Sequence, residues 1–188
     1  MAMPVILDLA MAVMAVAAVI GHCRKKPAKI ILRYFTSLSN LFCAAASAAV
    51  AAARLWGAVP NGLLVVKFIG TAAVTITLLT VMLFLGPVVY DYKALLTGPD
   101  LWLHLVCPVL AILTYFLWDR PVMAFGGMLL GILPVLLYGA MYLYRLLFAP
   151  TEKRWEDFYG FNRGGKWRLS FAAMTAAALA VSLLLWLL

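Results

Sequence analysis

The feature that most constrains this chain is a recurring block of about 20 apolar residues, each separated from the next by a short charged segment. Of its 188 residues, 66% are hydrophobic and 12% are charged, whereas a typical soluble domain carries about 25% charge. An apolar run of this length crosses a bilayer as a helix, which satisfies its own backbone hydrogen bonds. No stretch alternates apolar and polar residues over enough length for a membrane barrel. The sequence therefore predicts an all-α polytopic membrane protein.

Six such blocks predict a single domain over residues 1–188, folded as a six-helix transmembrane bundle. The predicted helices cover residues 3–21, 29–56, 62–89, 101–118, 122–148 and 169–188. Asp100 is the expected N-cap of the fourth helix. Asp8 is expected to be a shallow, hydrated acid near the outer surface. No basic region precedes the first apolar run, so we expect that run to be a retained helix and not a cleaved signal peptide.

The basic residues are distributed unequally between the two sets of loops. Of the 15 Lys and Arg residues, twelve fall in or beside the first, third and fifth loops. The positive-inside rule then predicts that these three loops are cytoplasmic and that both termini are external. Because topology alone accounts for basic residues at helix ends, the net charge of +8 does not predict a nucleic-acid partner.

Cysteine spacing gives no sign of a metal centre or a redox pair. Cys23, Cys43 and Cys107 lie in or beside apolar segments, without a Cys-x-x-Cys pair. We expect reduced thiols that serve mainly in packing. No metal and no organic cofactor is predicted.

The most informative polar stretch runs from Arg33 to Asn40, at the start of the second predicted helix. Polar groups inside a bilayer are costly and suggest a functional site. Thr36 lies three residues after Arg33, and His104 lies four residues after Asp100. At a rise of 1.5 Å per residue, these offsets are about 4.5 and 6 Å. Since both helices start at the same membrane face, Thr36 and His104 are predicted to lie at nearly equal depth. The sequence does not show whether the two helices are neighbours.

A threonine and a histidine within reach of each other form a candidate catalytic pair. A neutral imidazole removes the hydroxyl proton and later protonates the leaving group. Asn40, one turn after Thr36 on the same helix face, is a candidate donor to an oxyanion. Three tyrosines are further candidate donors, among which the sequence does not choose: Tyr34, Tyr90 and Tyr138.

Several alternatives remain open at this point. The Thr36 hydroxyl could simply bond back to the Leu32 carbonyl, as threonines in membrane helices commonly do. Cys107, one turn from His104, is a rival nucleophile, and His22 is a second candidate base. The aromatic and charged loop over residues 152–168 is either an interfacial anchor or a lid.

Two short motifs resemble those of the androgen-induced gene family of six-helix membrane hydrolases, in its prokaryotic branch. They are Tyr34-Phe-Thr36-Ser-Leu-Ser-Asn40-Leu and Trp102-Leu-His104-Leu-Val-Cys107-Pro. The resemblance covers nearly the whole chain at the same helix count. This sequence departs from the family in two ways. The spacing from the histidine to the proline is shorter, and the Asn that follows Trp-Leu in the eukaryotic members is absent.

The resemblance implies that Thr36 and His104 are the catalytic pair, since eukaryotic members use a threonine and a histidine to cleave fatty acid esters of hydroxy fatty acids. The expected function is therefore an intramembrane lipid-ester hydrolase, with membrane lipids as partners. A bacterial cytoplasmic membrane is the expected location. The alternatives are a non-enzymatic membrane protein that binds or transports a lipid or small molecule, and a packing scaffold for partner proteins.

Overall fold

The computed structural model describes residues 2–188, which are 81% helical and contain no strands. Within these residues, six helices are long and apolar enough to cross a membrane, as the sequence predicted. They are α1 (Ala2–Cys23), α2 (Phe35–Leu55), α3 (Asn61–Val89), α4 (Pro99–Trp118), α5 (Phe125–Phe148) and α6 (Trp167–Leu187). The protein is thus a six-helix membrane bundle.

The start of α2 differs from the prediction that a helix begins at residue 29. A one-turn helix, Ala28–Ile31, comes first, and α2 begins only at Phe35. Tyr34 between them is extended, with φ −85° and ψ 132°. The Phe35 N–H bonds the Tyr159 hydroxyl at 2.8 Å in place of a helical carbonyl. A partner 124 residues away therefore helps to set where this helix begins.

The start of α4 also differs in detail, because Asp100 is not its N-cap. Gly98 holds the cap position with φ 57°, a conformation that glycine adopts readily. Pro99 follows at the first helical position, where its fixed φ and missing N–H cost little. Asp100 lies in the first turn, and its carboxylate contacts His22 at 3.2 Å.

Helices α1 to α4 pack closely through small residues. Gly70 of α3 lies so near α2 that an added Cβ would be 3.0 Å from the Cα of Cys43. Small residues permit this approach in lipid, where backbone contact replaces the hydrophobic effect as the source of association. The shared core includes Met11, Ala15, Val74 and Leu103.

Helices α5 and α6 pack against the other side of α3. Their common core contains Phe68, Ile76, Val135 and Val181. The bundle therefore consists of four tightly packed helices, with a pair of helices attached along α3.

A ring of four charged side chains joins the ends of α1 to α4 at the face of loops 2 and 4. Lys67 donates to both Asp8 and Asp119. Arg54 donates to Asp119 and lies 3.6 Å from Asp8. Asp8, Lys67 and Asp119 are completely buried, so the expectation of a shallow, hydrated Asp8 is wrong. Two cations and two anions balance, which is how buried charges are tolerated in a membrane.

Candidate functional site

A polar cavity of about 550 Å³ opens at the face of loops 1, 3 and 5. The loops and the first turns of α2 and α4 form its walls, which include His22, Thr36, Asp100, His104 and Tyr159. The structure therefore brings Thr36 and His104 to one cavity, as their predicted equal depth suggested.

An apolar cavity of about 440 Å³ lies between α3, α5 and α6. Its lining includes Ile76, Val135, Phe171 and Met174. It occupies the seam where the α5–α6 pair meets α3. Both volumes fall within the range of about 300–1,000 Å³ that is usual for ligand pockets.

Thr36, Leu85 and Tyr159 line both cavities and form the wall between them. Thr36 is half-buried in the first turn of α2. A ligand with an apolar chain and a polar end could place its chain in one cavity and its polar end in the other. The bond that joins the two parts would then lie beside Thr36.

His104 is oriented by a backbone contact. Its Nδ1 lies 2.7 Å from the carbonyl oxygen of Leu95, so in the neutral ring this nitrogen carries the hydrogen and donates. Nε2 then has a free lone pair and is available as a base. The side chain is 7% exposed, which limits the imidazole to partners inside the cavity.

The backbone around His104 is locally widened. Residues Trp102–Val106 form a π-helical turn, immediately before Cys107 and Pro108. Pro108 has no N–H to give to the carbonyl of residue 104, so the normal helical bond is absent there. Single π-helical turns are frequent at functional sites.

Asn40 has a different role from the predicted oxyanion donor. Its Nδ2 donates to the carbonyl oxygens of Thr36, at 2.9 Å, and of Leu103, at 3.0 Å. Both amide hydrogens are therefore used. The fully buried side chain joins α2 to α4 beside the two candidate catalytic residues.

The three predicted tyrosines surround the site, but two of their hydroxyls are bound to backbone carbonyls. Tyr138 donates to Arg33 at 2.6 Å, and Tyr90 donates to Phe158 at 2.8 Å. Tyr34 lines the polar cavity, and its ring centroid lies 4.6 Å from that of Phe158. Burial raises the pKa of Tyr90 above its ordinary value, so this phenol stays neutral.

The rival candidates occupy less favourable positions. Cys107 is fully buried, with its Sγ 3.9 Å from the Met11 carbonyl oxygen, and it is absent from the described residues that line either cavity. His22 does line the polar cavity, but its Nε2 contacts the Asp100 carboxylate at 3.2 Å. Within residues 2–188, no three His, Cys, Asp or Glu side chains are grouped as metal ligands.

The loop over residues 152–168 covers the site and contributes a side chain to it. Asp157 holds the loop in shape by accepting from the backbone N–H groups of Phe161 and Asn162, both at 2.7 Å, and from the Tyr142 hydroxyl at 2.9 Å. Trp155 packs under Arg33 and Arg145, whose guanidinium carbons lie 5.6 and 5.9 Å from its ring centre. The loop is therefore more than an interfacial anchor.

Tyr159 is the residue that the sequence interpretation missed. It projects from this loop into the wall between the cavities, next to Phe35 and Thr36. The one available signal was the density of aromatic residues in the loop, which also fits a headgroup anchor.

No family model, curated protein or solved structure matches this chain. The resemblance to the androgen-induced gene family therefore remains an expectation from two short motifs, and the geometry of the site must support any function by itself.

Proposed function

We propose that the protein is an intramembrane hydrolase of lipid esters, in which Thr36 is the nucleophile and His104 is the general base. The observation that carries the proposal is the position of Thr36. It lies in the wall between an apolar and a polar cavity, and His104 lines the polar one.

A lipid ester fits this arrangement in one orientation. Its acyl chain would occupy the apolar cavity between α3, α5 and α6, and its polar part would occupy the polar cavity. The carbonyl carbon would then lie beside Thr36. In this orientation the acyl chain would enter from the bilayer. Water for the hydrolysis would enter from the face of loops 1, 3 and 5.

The reaction would proceed in two steps. Thr36 Oγ1 attacks the ester carbonyl while His104 Nε2 takes its proton, and the same imidazolium then protonates the departing alcohol. Water, deprotonated by His104, then attacks the acylated threonine. The fatty acid departs as the acyl–oxygen bond breaks, and His104 returns the proton to Thr36 Oγ1. The bond from Nδ1 to the Leu95 carbonyl keeps the ring in the required tautomer and stabilises the imidazolium.

The charge ring supports a hydrolase over the transporter alternative. A transporter must open its site toward both faces, whereas the ring joins four helices at the face opposite the polar cavity. Opening a path through that face would require these ion pairs to be broken.

The proposal includes an orientation and a location. With loops 1, 3 and 5 in the cytoplasm and both termini outside, the site would meet lipids of the inner leaflet. Membrane lipids would be its partners, and a bacterial cytoplasmic membrane would be its location.

Turnover by the purified protein in lipid nanodiscs tests the proposal. We expect hydrolysis of long-chain fatty acid esters and covalent labelling by an alkyl fluorophosphonate probe. Thr36→Ala should abolish both, and Thr36→Ser should retain part of each because the hydroxyl survives. Full turnover by Thr36→Ala would remove Thr36 from the mechanism. A wild-type protein that binds lipid esters but cleaves none would favour the binding or transport alternative.

A further inference from the structure

We infer that Tyr159 is a catalytic residue of the proposed hydrolase, whose hydroxyl donates a hydrogen bond to the ester carbonyl oxygen as Thr36 attacks. This inference rests on the proposed function. It adds a role for the loop over residues 152–168 that neither the motifs nor the equal depth of Thr36 and His104 implies.

The position of the Tyr159 hydroxyl is fixed by the backbone next to the nucleophile. Its oxygen accepts the Phe35 N–H at 2.8 Å, and Phe35 immediately precedes Thr36. Tyr159 and Thr36 also line both cavities together. The phenol oxygen is thus anchored at the point where an ester would pass from one cavity to the other.

The Tyr159 hydroxyl can still donate a hydrogen bond. A phenol has one O–H donor and acceptor lone pairs, and the bond from Phe35 uses only a lone pair. Burial raises the pKa of Tyr159 to about 12, and its interactions with Phe35, Tyr138 and Thr36 act in the opposite direction. The group therefore remains a neutral donor throughout the physiological pH range.

Two other side-chain donors near Thr36 are already occupied. The Asn40 amide hydrogens are held by Thr36 and Leu103. The hydroxyl of Tyr138 is bound to a backbone carbonyl. The Tyr159 oxygen is held in place by the Phe35 N–H, and its hydroxyl has one hydrogen to donate.

The loop is built to hold this donor in position before a substrate arrives. The Asp157 carboxylate accepts from the backbone N–H groups of Phe161 and Asn162, just after Tyr159. The ring of Tyr159 packs against those of Tyr142 and Phe158, with centroids 5.5 and 4.7 Å away. Preorganised donors of this kind stabilise developing charge without reorganising during the reaction.

The role is hydrogen bonding and not proton transfer. As the bond from Thr36 Oγ1 to the carbonyl carbon forms, the electron pair of the C=O π bond moves to the oxygen, and the threonine proton goes to His104 Nε2. Tyr159 stabilises that oxyanion. When the pair returns to re-form the carbonyl, the C–O bond to the alcohol breaks and His104 supplies the proton to the alcohol oxygen.

Tyr159→Phe in the full-length protein, in nanodiscs, is the decisive variant. We expect kcat to fall about 10²- to 10³-fold, as when one oxyanion donor is removed. The affinity for a non-hydrolysable ether analogue of the substrate should stay at the wild-type value. Tyr115→Phe is the matched control, because its hydroxyl is bound to the Leu185 carbonyl and Tyr115 is not among the described residues that line either cavity; it should keep most turnover.

Replacing Tyr159 with 3,5-difluorotyrosine keeps the shape of the ring and lowers the phenol pKa. An ionised phenol cannot donate, so the loss of activity on the alkaline side should move to lower pH than in the wild type. A merely structural tyrosine would not move this profile.

The outcomes separate the inference from the proposed function. If Tyr159→Phe turns over normally while Thr36→Ala is inactive, the hydrolase stands and the role of Tyr159 is wrong. If Tyr159→Phe loses ether binding as much as turnover, or the fluorinated protein keeps the wild-type profile, the residue only supports packing. If Thr36→Ala matches the wild type, the proposed function itself fails.

Discussion

The buried amide of Asn40 donates to the carbonyl oxygen of Leu103 at 3.0 Å, and Leu103 is the residue before His104. The other hydrogen of the same amide goes to the Thr36 carbonyl at 2.9 Å. One side chain thus fixes the spacing between the two helices that carry the proposed nucleophile and base. Turnover should depend on this contact even though Asn40 does not touch a substrate.

Asn40→Leu should therefore impair both stability and turnover. The Leu103 carbonyl would be left buried without its partner, which costs about 1–3 kcal/mol. We expect a lower thermal midpoint, followed by intrinsic tryptophan fluorescence, and a reduced kcat on a long-chain ester. Asn61→Leu is the control, because the amide of Asn61 bonds Val122 at the exposed opposite face. Equal turnover by the two variants would contradict a positioning role for Asn40.

Lys67→Met should be among the most destabilising single substitutions in the protein. It removes the cation between Asp8 and Asp119, and breaking a buried ion pair costs about 3–5 kcal/mol. Thermal inactivation in detergent measures the effect. The double variant Lys67→Met, Asp8→Asn, whose ring is again neutral, should recover part of the loss. No recovery would mean that Lys67 acts mainly through packing.

Ala177→Phe should narrow the chain specificity by filling the apolar cavity, which Ala177 lines. We expect hydrolysis of long-chain esters to fall while short-chain esters are still cleaved. Kinetics on a series of 4-nitrophenyl esters of increasing chain length give the measurement. Ala176→Phe is the neighbouring control, because Ala176 is exposed and lies outside this lining. A uniform loss across all chain lengths would argue against the apolar cavity as the acyl site.

His104→Ala should reduce turnover about 10²- to 10⁴-fold, the usual contribution of a general base. The Thr36→Ala, His104→Ala double variant should be no worse than Thr36→Ala alone, since residues that act as a unit are not additive. Cys107→Ala should retain most activity because its thiol packs against Met11 of α1. Additive losses in the double variant would separate the two residues.

Single cysteines at Lys26 and Lys153, in a background without the three native cysteines, test the membrane orientation. Both positions lie on the loop face that twelve of the 15 basic residues share. We expect an impermeant maleimide to label them only after the membrane is opened. Labelling of intact cells at both positions would reverse the orientation but leave the site unchanged.

The six helices followed from hydrophobic length, since a helix satisfies its own backbone in lipid and the sequence lacks the alternation of a membrane barrel. The shared cavity of Thr36 and His104 agrees with an argument from depth, which is a one-dimensional property of each helix. Which helices are neighbours, by contrast, does not follow from depth. The sequence predicts a free amide at Asn40 because one of its acceptors, the Leu103 carbonyl, lies 63 residues away along the chain.

The charge ring is a second case in which local sequence does not indicate contacts between distant residues. Asp8, Arg54, Lys67 and Asp119 each resemble an ordinary charge near a helix end when taken singly. Three of them, Asp8, Lys67 and Asp119, are completely buried because all four side chains meet at one point. The local spacing of the four residues does not indicate that they meet. The displaced start of α2 has the same origin, because its first N–H bonds a residue 124 positions away.

The contact from Tyr159 to Phe35 has a consequence for the order of assembly. Once α1 to α4 have been inserted into the membrane, Thr36 and His104 are both in place. The wall between the two cavities still lacks Tyr159 at that stage. That wall closes only after α5 has been inserted and the following loop has folded back on the start of α2. The proposed hydrolase would therefore be inactive until the loop over residues 152–168 has been synthesised and has folded onto α2.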